Sequence, residues 1–134
     1  MKKFEILEHT ADLKIRALGR NRQEVFENMM LGMQNALHPR VKKQETSTKI
    51  RIESEDLGSL LVDFLSEINY LNEVNKEIYK EARFYKFDDN KIEAELLGNK
   101  VSRFGEQIKG VTFHNLKVHQ REDSLWEAIV LFDV

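Results

Sequence analysis

Apolar and polar positions alternate along this chain with two distinct periods, and the switches between them mark its elements. Phe4 and Ile6 alternate with Lys3 and Glu5, and Leu13, Ile15 and Ala17 alternate with Lys14 and Arg16. A period of two belongs to a strand with one face buried. Gly19 ends the second strand; Asn21 then stands at a helix N-cap with Glu24 in the capping-box position. Phe26, Met29, Met30, Met33 and Leu37 fall on one face of that helix, and Pro39 stops it. Thr48, Ile50 and Ile52 alternate with Lys49, Arg51 and Glu53, a third strand. Leu57, Leu60, Leu61, Phe64, Leu65, Ile68 and Leu71 then form a broad apolar stripe, a second helix capped by Ser54 or Asp56. Ile78 to Phe87 and Ile92 to Leu97 read as strands joined through the turn Asp88-Asp89-Asn90. Residues 98–107 are polar, carry Gly98 and Gly105, and read as a loop. Lys109 to His119 and Leu125 to Phe132 form a last strand pair across Gln120-Arg121-Glu122-Asp123.

The order β-β-α-β-α-β-β-β-β lacks the regular alternation of a parallel doubly wound sheet. It predicts an α+β fold: two layers, a largely antiparallel sheet with two amphipathic helices packed on one face. Ala128 to Phe132 is apolar on both faces, which predicts a central strand. Between Lys109 and Val118 the alternation changes phase, and a bulge near His114-Asn115 would explain it. By parity Lys109 shares the Val111/Phe113 face, where a lysine either snorkels to solvent or points at something.

Composition narrows the function classes. With 134 residues and no linker or repeat, residues 1–134 are expected to form one domain. The 21 basic and 23 acidic side chains leave a net charge of −2, unlike a protein whose main task is to clamp bare nucleic acid. The chain has no cysteine, which rules out disulfides and thiolate-held zinc. No apolar run approaches the ~18 residues of a membrane span, and Glu5 comes too early for a signal peptide. A cytoplasmic protein with no membrane and no DNA partner is expected.

Asp12 and Asp133 each stand at the edge of an apolar strand, and with the terminal carboxylate of Val134 they make a candidate all-oxygen pocket for a hard cation. The ordinary role of an aspartate beside a strand is a turn, so the two readings stand side by side. His9, His38, His114 and His119 show no zinc-ligand spacing and read as structural or solvent-facing. Arg40, Lys42 and Lys43, with Lys49 and Arg51, form a modest basic cluster, read as a solvated loop with RNA or an acidic partner as the alternative. Asp63, Glu67 and Glu73 read as the exposed side of the second helix, and Met29, Met30 and Met33 as core rather than a soft binding surface. There is no nucleophile elbow, no phosphate-binding glycine loop and no His-Glu-x-x-His.

Taken in order, five segments resemble one family, archease. They are Glu8-His9-Thr10-Ala11-Asp12; Phe26 to Gly32-Met33; Leu60-Leu61-Val62-Asp63-Phe64-Leu65-Ser66-Glu67; Ile108-Lys109-Gly110-Val111-Thr112-Phe113-His114; and Trp126 followed by Phe132-Asp133-Val134. The chain departs from the family pattern at Glu8, where Asp is common, at Phe64 and Phe113, which replace Trp and Tyr, and at 98–107, which is shorter and less acidic.

The resemblance implies an accessory protein rather than an enzyme, an activator of the GTP-dependent RNA ligase of the RtcB type in tRNA splicing and RNA repair. Such proteins promote guanylylation of the ligase's own histidine and so permit multiple turnover. It implies a divalent metal, calcium first with magnesium or manganese as alternatives, held by Asp12, Asp133 and Val134. It also places Lys109, with Asp12 and Asp133, in the set needed for ligase activation. The resemblance leaves room for indirect contact with tRNA or RNA. The alternatives are a general chaperone or RNA-processing adaptor with the same metal site, and a metal-dependent hydrolase built on Asp12 and Asp133. The hydrolase lacks a recognisable base or nucleophile near those carboxylates.

Overall fold

The computed structural model describes residues 1–7 and 12–134. Strands β1 (Phe4–Leu7) and β2 (Leu13–Gly19) lead into helix α1 (Arg22–Ala36), strand β3 (Pro39–Glu53) and helix α2 (Leu57–Asn75). Strands β4 (Glu77–Phe87), β5 (Lys91–Phe104), β6 (Gly110–Val111), β7 (Lys117–Gln120) and β8 (Trp126–Asp133) complete the described fold. Every described pairing is antiparallel, and the α+β class is the one predicted. The strands divide between two sheets, a five-stranded one ordered β1-β2-β8-β6 with β7 also on β8, and a three-stranded one ordered β3-β5-β4. Strand β8 is central, with Ala128, Val130 and Phe132 fully buried and Leu131 buried on the other face.

Both helices start where the sequence places them. The Asn21 side chain accepts from the Glu24 backbone N–H at 2.8 Å, and Asp56, not Ser54, accepts from Ser59 N–H at 2.8 Å. The capping box on α1 closes one residue early: Glu24 accepts from the backbone N–H and guanidinium of Arg20 rather than from Asn21. Each helix touches both sheets, α1 through β1, β2, β8 and β4, and α2 through β3, β4, β5, β6 and β7. Met29, Met30 and Met33 are fully buried, so the methionines are core. An aromatic cluster ties the layers: Phe26 of α1 lies 5.7 Å from Phe64 of α2 and 5.0 Å from Phe87 of β4, edge-on. Gly32 lets α1 approach β1 and β2 closely, since a Cβ there would stand 3.0 Å from Phe4 and Ile15 side-chain atoms.

Three segments differ from the sequence reading. Residues 98–104 are not loop but the second half of β5, and the basic stretch 40–43 is not loop but the first half of β3. The two halves pair with each other, so backbone hydrogen bonds hold them extended although few of their side chains are apolar. The single strand expected over 109–119 is two short strands on β8. Val111 faces Phe132 and Lys117 faces Ile129, so the chain makes a turn between them rather than a one-residue bulge. Thr112 builds that turn: its hydroxyl donates to Leu131 O at 2.9 Å and accepts from His114 N–H at 3.2 Å.

A buried polar network joins both helices to the start of β4. Gln34 and Asn72 exchange side-chain hydrogen bonds at 2.9 and 2.8 Å, Asn72 donates to Glu77 O at 2.8 Å, and Tyr79 N–H donates to Gln34 at 2.9 Å. The Glu77 carboxylate accepts from Tyr79 OH at 2.7 Å and Thr48 OH at 3.0 Å and faces Lys100 at 3.3 Å. Burial pushes the Glu77 carboxyl upward, but the hydrogen bonds from Tyr79, Thr48 and Lys100 outweigh it and hold the group below the usual 4.5. Burial and the neighbouring Glu77 raise the Tyr79 phenol, so it stays protonated as the donor. A folded value below the unfolded one means that ionised Glu77 stabilises the fold above pH 4.5 and loses that contribution as pH falls through the folded value. Urea denaturation should therefore show Glu77→Gln destabilised by about 1.5–3 kcal/mol at neutral pH. As pH falls from above 4.5 through the folded value, the variant should lose less stability than the parent.

Candidate functional site

The ladder between β2 and β8 decides where the two end carboxylates lie. Its last pair is Leu13 with Phe132, so the next residue of each strand, Asp12 and Asp133, flank each other at the end of the ladder. Residues directly across an antiparallel pair stand about 4.5–5.5 Å apart at Cα. On the other side of β8, Asp133 pairs with Gly110 of β6, and Lys109 N–H donates to Asp133 O at 2.7 Å. Asp12, Lys109, Asp133 and Val134 thus meet at one end of the five-stranded sheet. Asp133, Val134 and Lys109 are exposed there, and Asp12 is half-buried.

Lys109 is held by its neighbours rather than by its own side chain. Ile108 before it is buried, and the Ile108 carbonyl accepts from the Asn69 side chain on α2 at 2.9 Å. With the Asp133 bond this fixes the backbone on both sides while the ammonium stays exposed. It borders a shallow cleft of about 480 Å³ against α2, beside Tyr70, Glu73 and Gln107. The parity that set Lys109 on an apolar face with Val111 and Phe113 does not hold. Residues 105–109 lie outside any strand, and Phe113 is exposed in the turn.

Among the described residues the carboxylate donors at this end are Asp12 and Asp133, both oxygen ligands. Two carboxylates across a strand pair repel one another, and a hard divalent cation takes such oxygens in preference to nitrogen or sulfur. The residues present therefore fit a calcium-, magnesium- or manganese-type ion. Among the described residues no three His, Cys, Asp or Glu side chains converge into a cluster. Glu8, His9, Thr10 and Ala11, which complete the segment read before β2, lie outside the described residues. His38, His114 and His119 are exposed, and His119 is engaged with Glu127 at 2.8 Å. Asp63 and Glu73 are on the exposed side of α2, as read, with Glu67 partly covered, and Asp63 accepts from Ser54 OH at 2.5 Å. No helix among the described residues is long and apolar enough to cross a membrane.

Comparison with known proteins bears directly on this arrangement. The family model described as the Archease protein family (MTH1598/TM1083) matches residues 4–134. The chain belongs to the archease family. It is 39% identical over 142 residues to protein archease of Methanosarcina barkeri, covering 99% of this chain and 97% of that one. Protein archease of Pyrococcus abyssi is 29% identical with both chains fully covered. The archease fold recurs in the solution structure of protein 1598 from Methanobacterium thermoautotrophicum, with a TM-score of 0.73 at 27% identity over 100% of both chains. It recurs again in a Thermotoga maritima crystal structure described as an archease, possible chaperone, with a TM-score of 0.70 at 20% identity over 97% and 96% of the two chains.

Sequence reading missed one charged group that the archease fold assembles. Arg103 stands directly across from Arg40 in the β3–β5 ladder. The signal was confined to the alternation around Val101, masked by the flanking polar residues.

Proposed function

We propose that this archease activates an RtcB-type, GTP-dependent RNA ligase in the cytoplasm, in tRNA splicing and RNA repair. In this reading it promotes guanylylation of the ligase's own histidine, sustains multiple turnover and joins no RNA itself. The observation that carries the reading is the meeting of Asp12, Lys109, Asp133 and Val134 at one open sheet end. Asp12, Asp133 and Val134 would hold a divalent ion, calcium first, and a bound ion would supply positive charge able to polarise a phosphoryl oxygen. The chain's own residues do the rest. The two carboxylates present an anionic tip, and Lys109, its backbone anchored on Asp133, offers an ammonium beside it. Preferential binding of that tip to the guanylylation-competent ligase would shift the ligase toward that state.

A ligation time course with limiting ligase, GTP and RNA ends bearing a 3′-phosphate tests this. The ligase alone should stop near one turnover, the ligase with this protein should continue, and this protein alone should join nothing. Equal turnover with and without it would overturn the reading and leave the chaperone or adaptor, which the description of the Thermotoga relative favours. Lys109→Met supplies a second check. Because the ammonium is exposed and the backbone bonds survive the change, melting temperature should hold. Stimulation should fall about tenfold, the value of one charge-assisted hydrogen bond. Full stimulation by the variant would remove Lys109 from the site.

A further inference from the structure

Six arginines, Arg16, Arg20, Arg22, Arg51, Arg83 and Arg121, each sit against a carboxylate. The other two, Arg40 and Arg103, have no ion-pair partner among the described residues, and they are direct cross-strand partners in β3 and β5. Like charges at directly opposed positions destabilise a sheet, so an anion between them would relieve the repulsion. The surroundings add charge. Val41 pairs with Val101 and Glu45 with Asn99, so Lys42, Lys43 and Gln44 bulge out opposite Lys100 alone, with both lysines exposed. The bulge is pinned: Asn99 donates to Lys42 O at 3.2 Å and Ser102 to Arg40 O at 3.3 Å. Glu45 is the one acidic residue in 39–45 and 99–104. Lys76 lines the same cleft as Arg103, a space of about 690 Å³ that also borders Glu73 and Glu106.

We propose that this ribbon end, Arg40, Lys42, Lys43 and Arg103, binds the sugar–phosphate backbone of base-paired RNA. Guanidinium forks match phosphate oxygens in pairs. A protein partner would want an apolar, aromatic centre, and this ribbon exposes only Val41. A single strand would want aromatic platforms for stacking, and the exposed aromatics Tyr70, Tyr85 and Phe113 lie outside 39–45 and 99–104. The choice of RNA over DNA rests on the ligase reading above; the phosphate site does not.

Fluorescence anisotropy of a labelled RNA hairpin, titrated with the full chain alone over increasing KCl, tests the inference without the ligase. Micromolar binding at about 50 mM salt is expected, with a log–log salt slope near −3.6 for about four phosphate contacts. R40Q/R103Q should weaken binding at least tenfold and flatten the slope by about two. R51Q, an exposed but ion-paired control, should change it less than threefold. Removing the repelling pair should leave melting temperature unchanged or raised, which separates the result from misfolding. Absence of hairpin binding by the parent, or an unchanged slope in R40Q/R103Q, would overturn the site. Equal binding of duplex DNA would overturn the assignment to RNA. Loss of ligase capture by R40Q/R103Q with hairpin binding intact would make the ribbon a protein contact instead.

Discussion

Asp133→Ala, and separately Asp12→Ala, should abolish calcium binding and ligase stimulation together while leaving the metal-free fold as stable as the parent. The two residues stand one step beyond the last β2–β8 pair, and neither is part of the core cluster. Surface changes of this kind move stability within about 0.5 kcal/mol, and removing one of two facing carboxylates lessens repulsion. The parent behaves differently once calcium is added. A ligand at about one hundred times its dissociation constant stabilises by about 2.7 kcal/mol, on the order of 10 °C for a chain of this size. Melting curves with and without calcium should show that rise in the parent and none in either variant, and calorimetric titration should agree. Unchanged binding in both variants would reduce Asp12 and Asp133 to turn residues.

Gly98→Ala should be the most damaging single-methyl change in the three-stranded sheet, by about 3 kcal/mol or more, or roughly 10 °C in melting temperature. A Cβ at this position would stand 1.7 Å from the Ile78 carbonyl oxygen and 2.8 Å from Tyr79 Cα, both backbone atoms that cannot rotate away. Gly98 pairs with Thr46 on one side and Tyr79 on the other, beside the register shift between Tyr79 and Glu81. Relief would require β4 to part from β5 where Tyr79 N–H meets Gln34, opening the buried amide network as well. Thermal denaturation followed by far-ultraviolet circular dichroism measures this. A loss below about 1 kcal/mol would show that the close approach of β4 to β5 relaxes freely.

Gly98 also shows where sequence reading stops. In isolation a glycine among polar residues signals a turn. Here it marks a backbone contact between strands, which no local pattern reveals. The same limit explains Arg40 to Lys43: charged residues on both faces of a strand look like a loop because nothing in their order records the partner strand that supplies their hydrogen bonds. The phase change after Val111 was visible, but its size was not, because Asn115 turns with a positive φ of 55° that its side chain does not force. At the site, the segment ending in Asp12 and the terminal Phe132-Asp133-Val134 were each legible as patterns, as was Lys109 in its own segment. Their neighbourhood was expected only from strands ending together.

Elements with a strong local period are determined by the sequence alone. Helices α1 and α2, their Asn21 and Asp56 caps, the Asp88-Asp89-Asn90 turn and the doubly buried strand β8 follow from the spacing of apolar side chains and from caps that act within three or four residues. So does the α+β class, because the order of those elements leaves few ways to bury their apolar faces. Tertiary structure alone decided the rest: the division into two sheets, the Asp12–Asp133 juxtaposition, the anchoring of Lys109 on Asp133, and the facing of Arg40 with Arg103. Each of these depends on register between strands distant in the chain. Register is set by which apolar rows meet in the core, not by any residue's near neighbours.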